Sequence, residues 1–282
     1  MTLAPFSNRG LASHLIGRAV LKAAAQLLHE HAIPVMPLKG IWLQHFVYAD
    51  PSERPITDVD VLVPDSRYLQ AIAVLRAAGW ELRGSNVSEA ALRAPGFPLP
   101  LDLHRRLFTR AAFRMPSEAL FARGTADRGT YEIEVVLPDP LDVFAHLIGH
   151  FVKRRGGREQ SRHELQDLPH LAARFDLDPS AAARHLERCG LARASRYALP
   201  CVPEVQASRD RCREILQELR PDPIGQVLAS GMLKLRARVS AGSALAILPG
   251  FLLDRSLPRA VISGALRAID RRHDLEIEAS RG

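Results

Sequence analysis

Cysteine is scarce in this chain, and long apolar runs are missing. The three cysteines, Cys189, Cys201 and Cys212, are widely spaced and form no Cys-x-x-Cys pair. Their spacing argues against a disulfide framework or a cysteine zinc site and fits a reducing cytosol. The most apolar stretch, residues 244–253, is only about half as long as the roughly 20 residues that cross a bilayer. The first residues show no signal-peptide pattern, so we expect a soluble cytoplasmic protein without a membrane partner.

Lysine and aromatic residues are also scarce, whereas arginine is abundant. The 38 lysines and arginines outnumber the 31 acidic residues, which gives a formal net charge of +7. A positive surplus favours anionic partners such as nucleotides or RNA, but it says little about the fold. The basic stretch 234–238 lacks the interleaved aromatic residues of a platform for single-stranded nucleic acid. We therefore keep nucleic acid open as a partner but do not favour it.

The pattern of predicted strands and helices changes near residues 138–140. With 282 residues, of which 47% are hydrophobic, the chain is long enough for two domains with their own cores. Before the change, strand and helix patterns are mixed, as in an α/β or α+β domain. After it, strand signals largely vanish and a series of helix patterns follows, including one at 258–271. We predict a catalytic domain at 1–138 and a helical domain at 139–282 that binds the acceptor or acts as a lid.

The first candidate site is a glycine turn between a predicted strand at 33–38 and a predicted helix at 41–48. Gly40 would let the backbone approach an anion closely, and the N-terminus of the helix offers free N–H groups to a phosphate. Lys39 would contact a triphosphate as a point charge, and Arg54 is a second candidate phosphate clamp. For both cations the alternative is solvated surface charge.

Two carboxylates follow on the next predicted strand, residues 58–63. Asp58 and Asp60 are two residues apart, so in an extended strand their side chains project from the same face. The alternating residues Val59, Val61 and Val63 would face the core. Parallel carboxylates repel each other, and a divalent cation with hard oxygen ligands, such as Mg²⁺, relieves that repulsion. Pairs with this spacing also arise by chance, and only the buried strand and the upstream glycine turn distinguish this one.

Asp102 supplies a third carboxylate on a predicted strand at 99–103. A second metal about 3.5–4 Å from the first would need such a ligand, shared with the incoming hydroxyl. The alternative is a strand residue that faces solvent. His104 is two residues later on the same face, where it would orient Asp102, approach the nucleotide or act as a structural partner.

Together these segments resemble the uncharacterised bacterial nucleotidyltransferase family of the polymerase-β-like superfamily, over roughly residues 10 to 205. The motifs that carry the resemblance are Val35–Gly40, Arg54–Val63, Leu75–Trp80, Leu101–His104, Pro138-x-Pro140 and the helix with His146 and His150. The resemblance implies an α+β protein, with a minimal nucleotidyltransferase domain (a mixed sheet flanked by helices) followed by an all-α C-terminal domain.

The resemblance also implies a function. Asp58, Asp60 and Asp102 match the metal-binding and catalytic triad of the family, and Gly40 stands at its Gly-Gly or Gly-Ser turn, although Ile41 replaces the serine. The implied enzyme uses Mg²⁺ (two ions, with Mn²⁺ as an alternative) and a nucleoside triphosphate, ATP among them. It would transfer the nucleoside monophosphate to a hydroxyl of a small molecule, peptide, protein or RNA and release pyrophosphate. The missing serine supports an alternative, a catalytically weak module that binds nucleotide, RNA or a partner protein.

His146 and His150 suggest a third hypothesis, a zinc hydrolase. Their spacing places them on one helix face, as zinc ligands would be, with Asp167 or His163 as a candidate third ligand. The segment lacks the glutamate of a His-Glu-x-x-His protease. We favour histidines that pack the helical domain against the other domain, with Asp167 as a hydrogen-bond partner.

Overall fold

A computed structural model describes residues 8–108, 113–153, 160–203 and 208–236, which divide into two compact units. The sheet unit comprises residues 8–107 and 115–139, and the helical unit comprises residue 108, residues 113–114 and the described residues from 140 onward. The predicted helix at 258–271 and the end of the basic stretch 234–238 lie outside the described residues. Within the described ranges, no helix is long and apolar enough to cross a membrane.

The sheet unit combines a five-stranded sheet with flanking helices and a small second sheet. Its elements are α1 (Asn8–His29), β1 (Met36–Pro37), α2 (Lys39–Phe46), β2 (Val59–Leu62), α3 (Tyr68–Ala77), β3 (Glu81–Ser85), β4 (Glu89–Arg93), β5 (Leu101–His104), α4 (Ser117–Arg123), β6 (Thr125–Asp127) and β7 (Val135–Leu137). Short 3-10 turns at Pro51–Glu53 and Asp65–Arg67 flank β2. The main sheet has the order β1-β2-β5-β4-β3, and β6 pairs with β7.

The strands β2 and β5 lie side by side in the main sheet and run parallel, whereas its other neighbouring pairs are antiparallel. The register between β2 and β5 places Asp60 opposite Asp102 and Leu62 opposite His104. A parallel pair requires a crossover connection, which here runs through α3 and the hairpin β3–β4. This mixed sheet with flanking helices confirms the predicted α+β class.

One face of the parallel pair carries the core of the sheet unit. Val59, Val61 and Val63 are fully buried, as their alternation with the carboxylates predicted. Leu101 and Leu103 of β5 belong to the same apolar cluster, together with residues of α1 and α3. Burying each such side chain contributes about 1.5–3 kcal/mol, so the register of β2 and β5 is firmly specified. The residues between them, Asp60 and Asp102 among them, therefore project from the opposite face.

The sequence also predicts a strand at 131–137, and this prediction is wrong in its first half. Only Val135–Leu137 forms a strand, and it pairs with β6 rather than with the main sheet. Glu132 has a φ of 57°, and this left-handed conformation interrupts an extended backbone. The short elements α4 and β6 were not predicted.

The helical unit contains six α-helices within its described residues and no strand. They are α5 (Pro140–Lys153), α6 (Gln160–Arg174), α7 (Pro179–Cys189), α8 (Ala192–Ala198), α9 (Ser208–Glu218) and α10 (Pro223–Arg236). Helix α5 is buried continuously from Asp142 to Val152. Helix α7 begins at an Asp178 cap and ends at Gly190, whose φ of 78° is the left-handed conformation typical of a helix end. The described part of this unit is all-α, as predicted.

Candidate active site

Asp60 is buried at the centre of the candidate site, within the parallel pair β2–β5. Its Oδ1 accepts hydrogen bonds from Lys39 Nζ at 2.6 Å and from His104 Nε2 at 2.8 Å. Burial acts to raise the pKa of Asp60, but the Lys39 ammonium and the His104 contact outweigh it and hold the pKa well below its usual range. Asp60 is therefore ionised, and side chains of the same chain balance its charge.

Lys39 begins α2 in a backbone conformation that residues with a side chain rarely adopt. Its φ is 44°, in the left-handed region that costs a non-glycine residue roughly 1–2 kcal/mol. Strain of this kind persists only where the surrounding structure enforces it, and it is concentrated at functional sites. The Lys39 side chain is largely buried and ends at Asp60, so the strained residue is also the counter-ion of the central carboxylate.

A glycine is required at position 40 for a different structural reason from the predicted one. The positive φ of the turn falls on Lys39, and Gly40 lies buried in the first turn of α2. A Cβ at Gly40 would stand 2.5 Å from Cγ2 of Ile56. The glycine is therefore required by the close packing of α2 against Ile56. Its predicted contact with a nucleotide stays a prediction.

Asp102 and Asp58 complete the acidic group around Asp60. Asp102 is half-buried, and burial together with the negative charges of Asp60 and Asp58 raises its pKa to about 6. Asp58 lies in the bend just before β2 rather than within the strand as predicted. The register of β2 and β5 places Asp102 opposite Asp60, and the charges of Asp60 and Asp58 both act on Asp102. A joint role of the three predicted carboxylates stays a prediction.

His104 contacts Asp60 rather than Asp102, which fits the structural-partner alternative for His104 better than the alternative that it orients Asp102. Its Nδ1 lies 3.3 Å from Oε2 of Glu89, which gives the buried ring a carboxylate at each nitrogen. Burial lowers the pKa of His104, but the two carboxylates outweigh this effect and raise it. Glu89 was not predicted, because only the pairing of β4 with β5 places it opposite His104.

Two arginines directly after β5 were also missed. Arg105 and Arg106 both donate to the Asp65 carboxylate, and Arg106 Nη2 lies 2.6 Å from Oδ2. The Arg105 guanidinium also lies over the Tyr68 ring, 5.3 Å from its centre. Two guanidinium groups share one carboxylate here, so Arg105, Arg106 and Asp65 together carry a net positive charge directly after His104 in the sequence.

Arg54, the other predicted phosphate clamp, is tied into the loop before β2. Its guanidinium donates to the Pro55 carbonyl at 3.1 Å, and its own carbonyl accepts from Gln44 Nε2 at 2.7 Å. These contacts fix the loop from which β2 starts. A role of Arg54 in binding phosphate stays a prediction.

The three aspartates fit a divalent cation by their chemistry. Each offers hard oxygen ligands. Burial first, and the charges of Asp60 and Asp58 second, raise the pKa of Asp102, and a cation would stabilise the ionised carboxylate against both effects. Their present positions differ from a finished metal site, since within the described ranges no group of three His, Cys, Asp or Glu side chains is arranged to hold a metal ion. A cation at Asp60 would share its carboxylate with Lys39 or displace the ammonium.

His146 and His150 lie inside the helical unit as core residues. They are 3% and 7% exposed, and their rings are 5.9 Å apart. His146 also meets the Phe108 ring edge to face at 5.7 Å. This packing fits the favoured interpretation of the two histidines better than it fits an accessible zinc site.

Comparisons with known proteins identify one family and several structures of similar proteins. The profile of a family described as uncharacterised nucleotidyltransferase matches residues 14–206, and no curated protein matches the chain. An antigenic nucleotidyltransferase-like protein from Paracoccidioides brasiliensis is similar in structure, with a TM-score of 0.40 and 17% identity over 60% of this chain and 78% of that one. The antibiotic-resistance factor ANT(2'')-Ia is similar with a TM-score of 0.42 and 12% identity over 67% of this chain and 95% of that one. Because the family profile covers more than half of the sequence, the chain belongs to the uncharacterised nucleotidyltransferase family.

Proposed function

We propose that this protein transfers a nucleoside monophosphate from a nucleoside triphosphate to a hydroxyl group of an acceptor, with release of pyrophosphate. One observation carries the proposal: Asp60 and Asp102 are in register on adjacent parallel strands, and Asp58 precedes Asp60 by two residues. Membership of a nucleotidyltransferase family supports the reaction class.

The three aspartates have separate roles in this proposal. Asp58 and Asp60 would hold Mg²⁺ or Mn²⁺ on the triphosphate, and Asp102 would complete a second metal site. The bound cations would neutralise the phosphate charge and favour in-line attack. Asp102 would also help to deprotonate the acceptor hydroxyl, since a carboxylate within hydrogen-bond reach of that hydroxyl can accept its proton.

The remaining site residues would position these groups. His104 holds Asp60 in place, and Lys39 with the N-terminus of α2 at Gly40 would bind the triphosphate. Arg54 would add a further phosphate contact. We assign recognition of the acceptor to the helical unit, and we place the reaction in the cytoplasm, where the free cysteines would stay reduced.

The test is transfer of label from each α-labelled nucleoside triphosphate to a panel of acceptors or a cell extract, with Mg²⁺ or Mn²⁺. Asp60→Asn and Asp102→Asn should each lower transfer by about 10²-fold or more, because several kcal/mol of charge stabilisation are lost. The matched control is Asp176→Asn, an exposed aspartate paired with Arg211 in the helical unit. Asn tolerates the φ of 43° at this position, so the control should keep full activity.

A catalytically weak binding module is the second candidate, and one observation favours it: Lys39 already binds the carboxylate that a catalytic cation would need. Metal-dependent nucleotide binding without transfer to any acceptor would select this candidate. Full transfer activity in both site variants would overturn the assignment of the aspartates.

A further inference from the structure

The ion pair between Lys39 and Asp60 gives the central carboxylate a cation of its own. Asp60 is buried, whereas Asp58 and Asp102 are half-buried, so Asp60 is the aspartate least able to stay charged without a partner. An ionised carboxylate in such a place loses several kcal/mol of hydration unless a cation compensates. Lys39 Nζ, 2.6 Å from Oδ1, supplies that compensation.

The position of Lys39 is unfavourable by local criteria. Its φ of 44° favours glycine, and the first turn of a helix favours negative rather than positive side chains because of the helix dipole. The preceding residue, Leu38, gives α2 no side-chain cap. A lysine here is therefore explained by what its ammonium contacts and not by the stability of the helix.

The position of Lys39 in α2 would also let its ammonium bind a second anion. Lys39 is the first residue of α2, the end of a helix where free N–H groups and the dipole attract phosphate. Its flexible stem can move a point charge between neighbouring anions while the backbone stays fixed. Asp60 and a phosphate bound at the start of α2 would both be within reach of one side chain.

We propose that Lys39 is a placeholder cation: its ammonium neutralises Asp60 in the empty site and moves to the triphosphate when a divalent cation binds Asp60. This inference rests on the proposed function. A metal ion that arrives alone must break the ion pair between Lys39 and Asp60. A metal ion that arrives with nucleotide also brings phosphate oxygens as a new partner for the ammonium, so metal and nucleotide bind cooperatively.

The first test is Mn²⁺ binding to the protein with and without a non-hydrolysable triphosphate, measured by calorimetry or electron paramagnetic resonance. Lys39→Met should bind Mn²⁺ alone about tenfold more tightly than the unchanged protein and should gain less affinity when nucleotide is added. The matched control is Lys22→Met, because Lys22 donates to Glu132 at 2.8 Å in an exposed pair. It should leave both affinities unchanged. Equal or weaker Mn²⁺ binding by folded Lys39→Met would overturn the proposal.

The second test uses the unchanged protein and does not depend on the folding of a variant. The chain has four lysines, Lys22, Lys39, Lys153 and Lys234, so acetylation of each amine can be followed by mass spectrometry. Saturating Mn²⁺ alone should accelerate acetylation of Lys39 about threefold or more, since the displaced amine loses its ion pair, and nucleotide should slow it again. Lys22 should react at a constant rate.

The outcomes separate this proposal from the proposed function. Bound Mn²⁺ with no change at Lys39 would overturn the placeholder role and leave the metal site standing. An absence of Mn²⁺ binding, with or without nucleotide and in all variants, would overturn the metal site itself and the placeholder with it.

Discussion

Each of the two units buries an Asp–His pair, and the two pairs have nearly the same geometry. In the sheet unit, His104 Nε2 lies 2.8 Å from Asp60 Oδ1, and in the helical unit, His185 Nε2 lies 2.9 Å from Asp142 Oδ1. Burial acts to lower the pKa of each histidine. The contacts with Asp60 and Glu89 outweigh it at His104, and those with Asp142 and Cys189 outweigh it at His185, which raises the pKa of His185 to about 9. An Asp–His pair of this kind therefore does not by itself identify a functional site.

The surroundings of the two pairs differ. His104 has Glu89 at its second nitrogen, whereas Nδ1 of His185 lies 3.3 Å from the Arg188 guanidinium. That arginine opposes protonation of His185, but it is exposed and solvent screens its charge. Around Asp60 there are further carboxylates and a strained lysine. A surplus of like charge together with backbone strain distinguishes the candidate active site from a structural ion pair.

The largest expected effect is a loss of stability when the Asp–His pair of the helical unit is broken. Asp142→Asn should lower the unfolding free energy by about 2 kcal/mol at pH 7, because His185 loses the buried charge that keeps it protonated. Thermal unfolding measures this as a lower melting temperature. Transfer activity per folded molecule should be retained, which would mark the pair as structural.

The pH dependence of this effect provides its control. The pKa of His185 is higher in the folded state than its ordinary 6.5, so its stabilisation is complete below pH 6.5 and is lost as the pH rises through about 9. The difference in melting temperature between the unchanged protein and Asp142→Asn should therefore shrink toward about pH 9.5, where His185 becomes neutral in the unchanged protein as well as in the variant. A difference independent of pH would contradict the ionic origin.

The contrast between the pairs also shows how far sequence alone could reach. The strand-face positions of Asp60 and Asp102 were predictable, because alternation with buried apolar residues identifies a strand face before any pairing is known. Asp58 was placed on the same strand, but it lies in the bend before it. The partners Glu89 and His104 meet only through the order of the strands, which local patterns do not encode. Asp142 and His185 stand on different helices with no motif between them.

The turn at Lys39 shows a second limit of sequence. A Lys-Gly pair before a helix predicts that the glycine takes the unusual backbone angle, since glycine does so without strain. In the structure the lysine takes that angle, and the packing of Ile56 explains the glycine. Tertiary contacts decide which residue of this turn takes the left-handed backbone conformation and which must be glycine. The local sequence alone therefore could not predict either.

An intermediate effect tests whether the acidic group is strained by its own charge. Asp102→Asn should raise the free energy of unfolding of the metal-free protein by about 1 kcal/mol, after allowing for solvent screening of the half-buried group. The pKa of Asp102 is higher in the folded state than its ordinary 3.8, so this carboxylate costs stability above pH 6 and not below pH 4. The gain, measured in chelator by thermal unfolding, should fade toward pH 4. A loss of stability at pH 7.5 would contradict the crowding of charge.

The smallest expected effect concerns the second nitrogen of His104. Glu89→Gln keeps an acceptor oxygen but removes the negative charge, so the pKa of His104 should fall. Transfer activity should drop only about two- to fivefold, because the Glu89 side chain is 38% exposed and its contact with His104 is 3.3 Å long. Nuclear magnetic resonance of the imidazole reports the pKa directly, independent of activity. Arg188→Gln makes the matched change at His185, and removal of a cation should raise that pKa instead. If Glu89→Gln and Arg188→Gln shifted the pKa values of His104 and His185 in the same direction, the proposed difference between the two pairs would be contradicted.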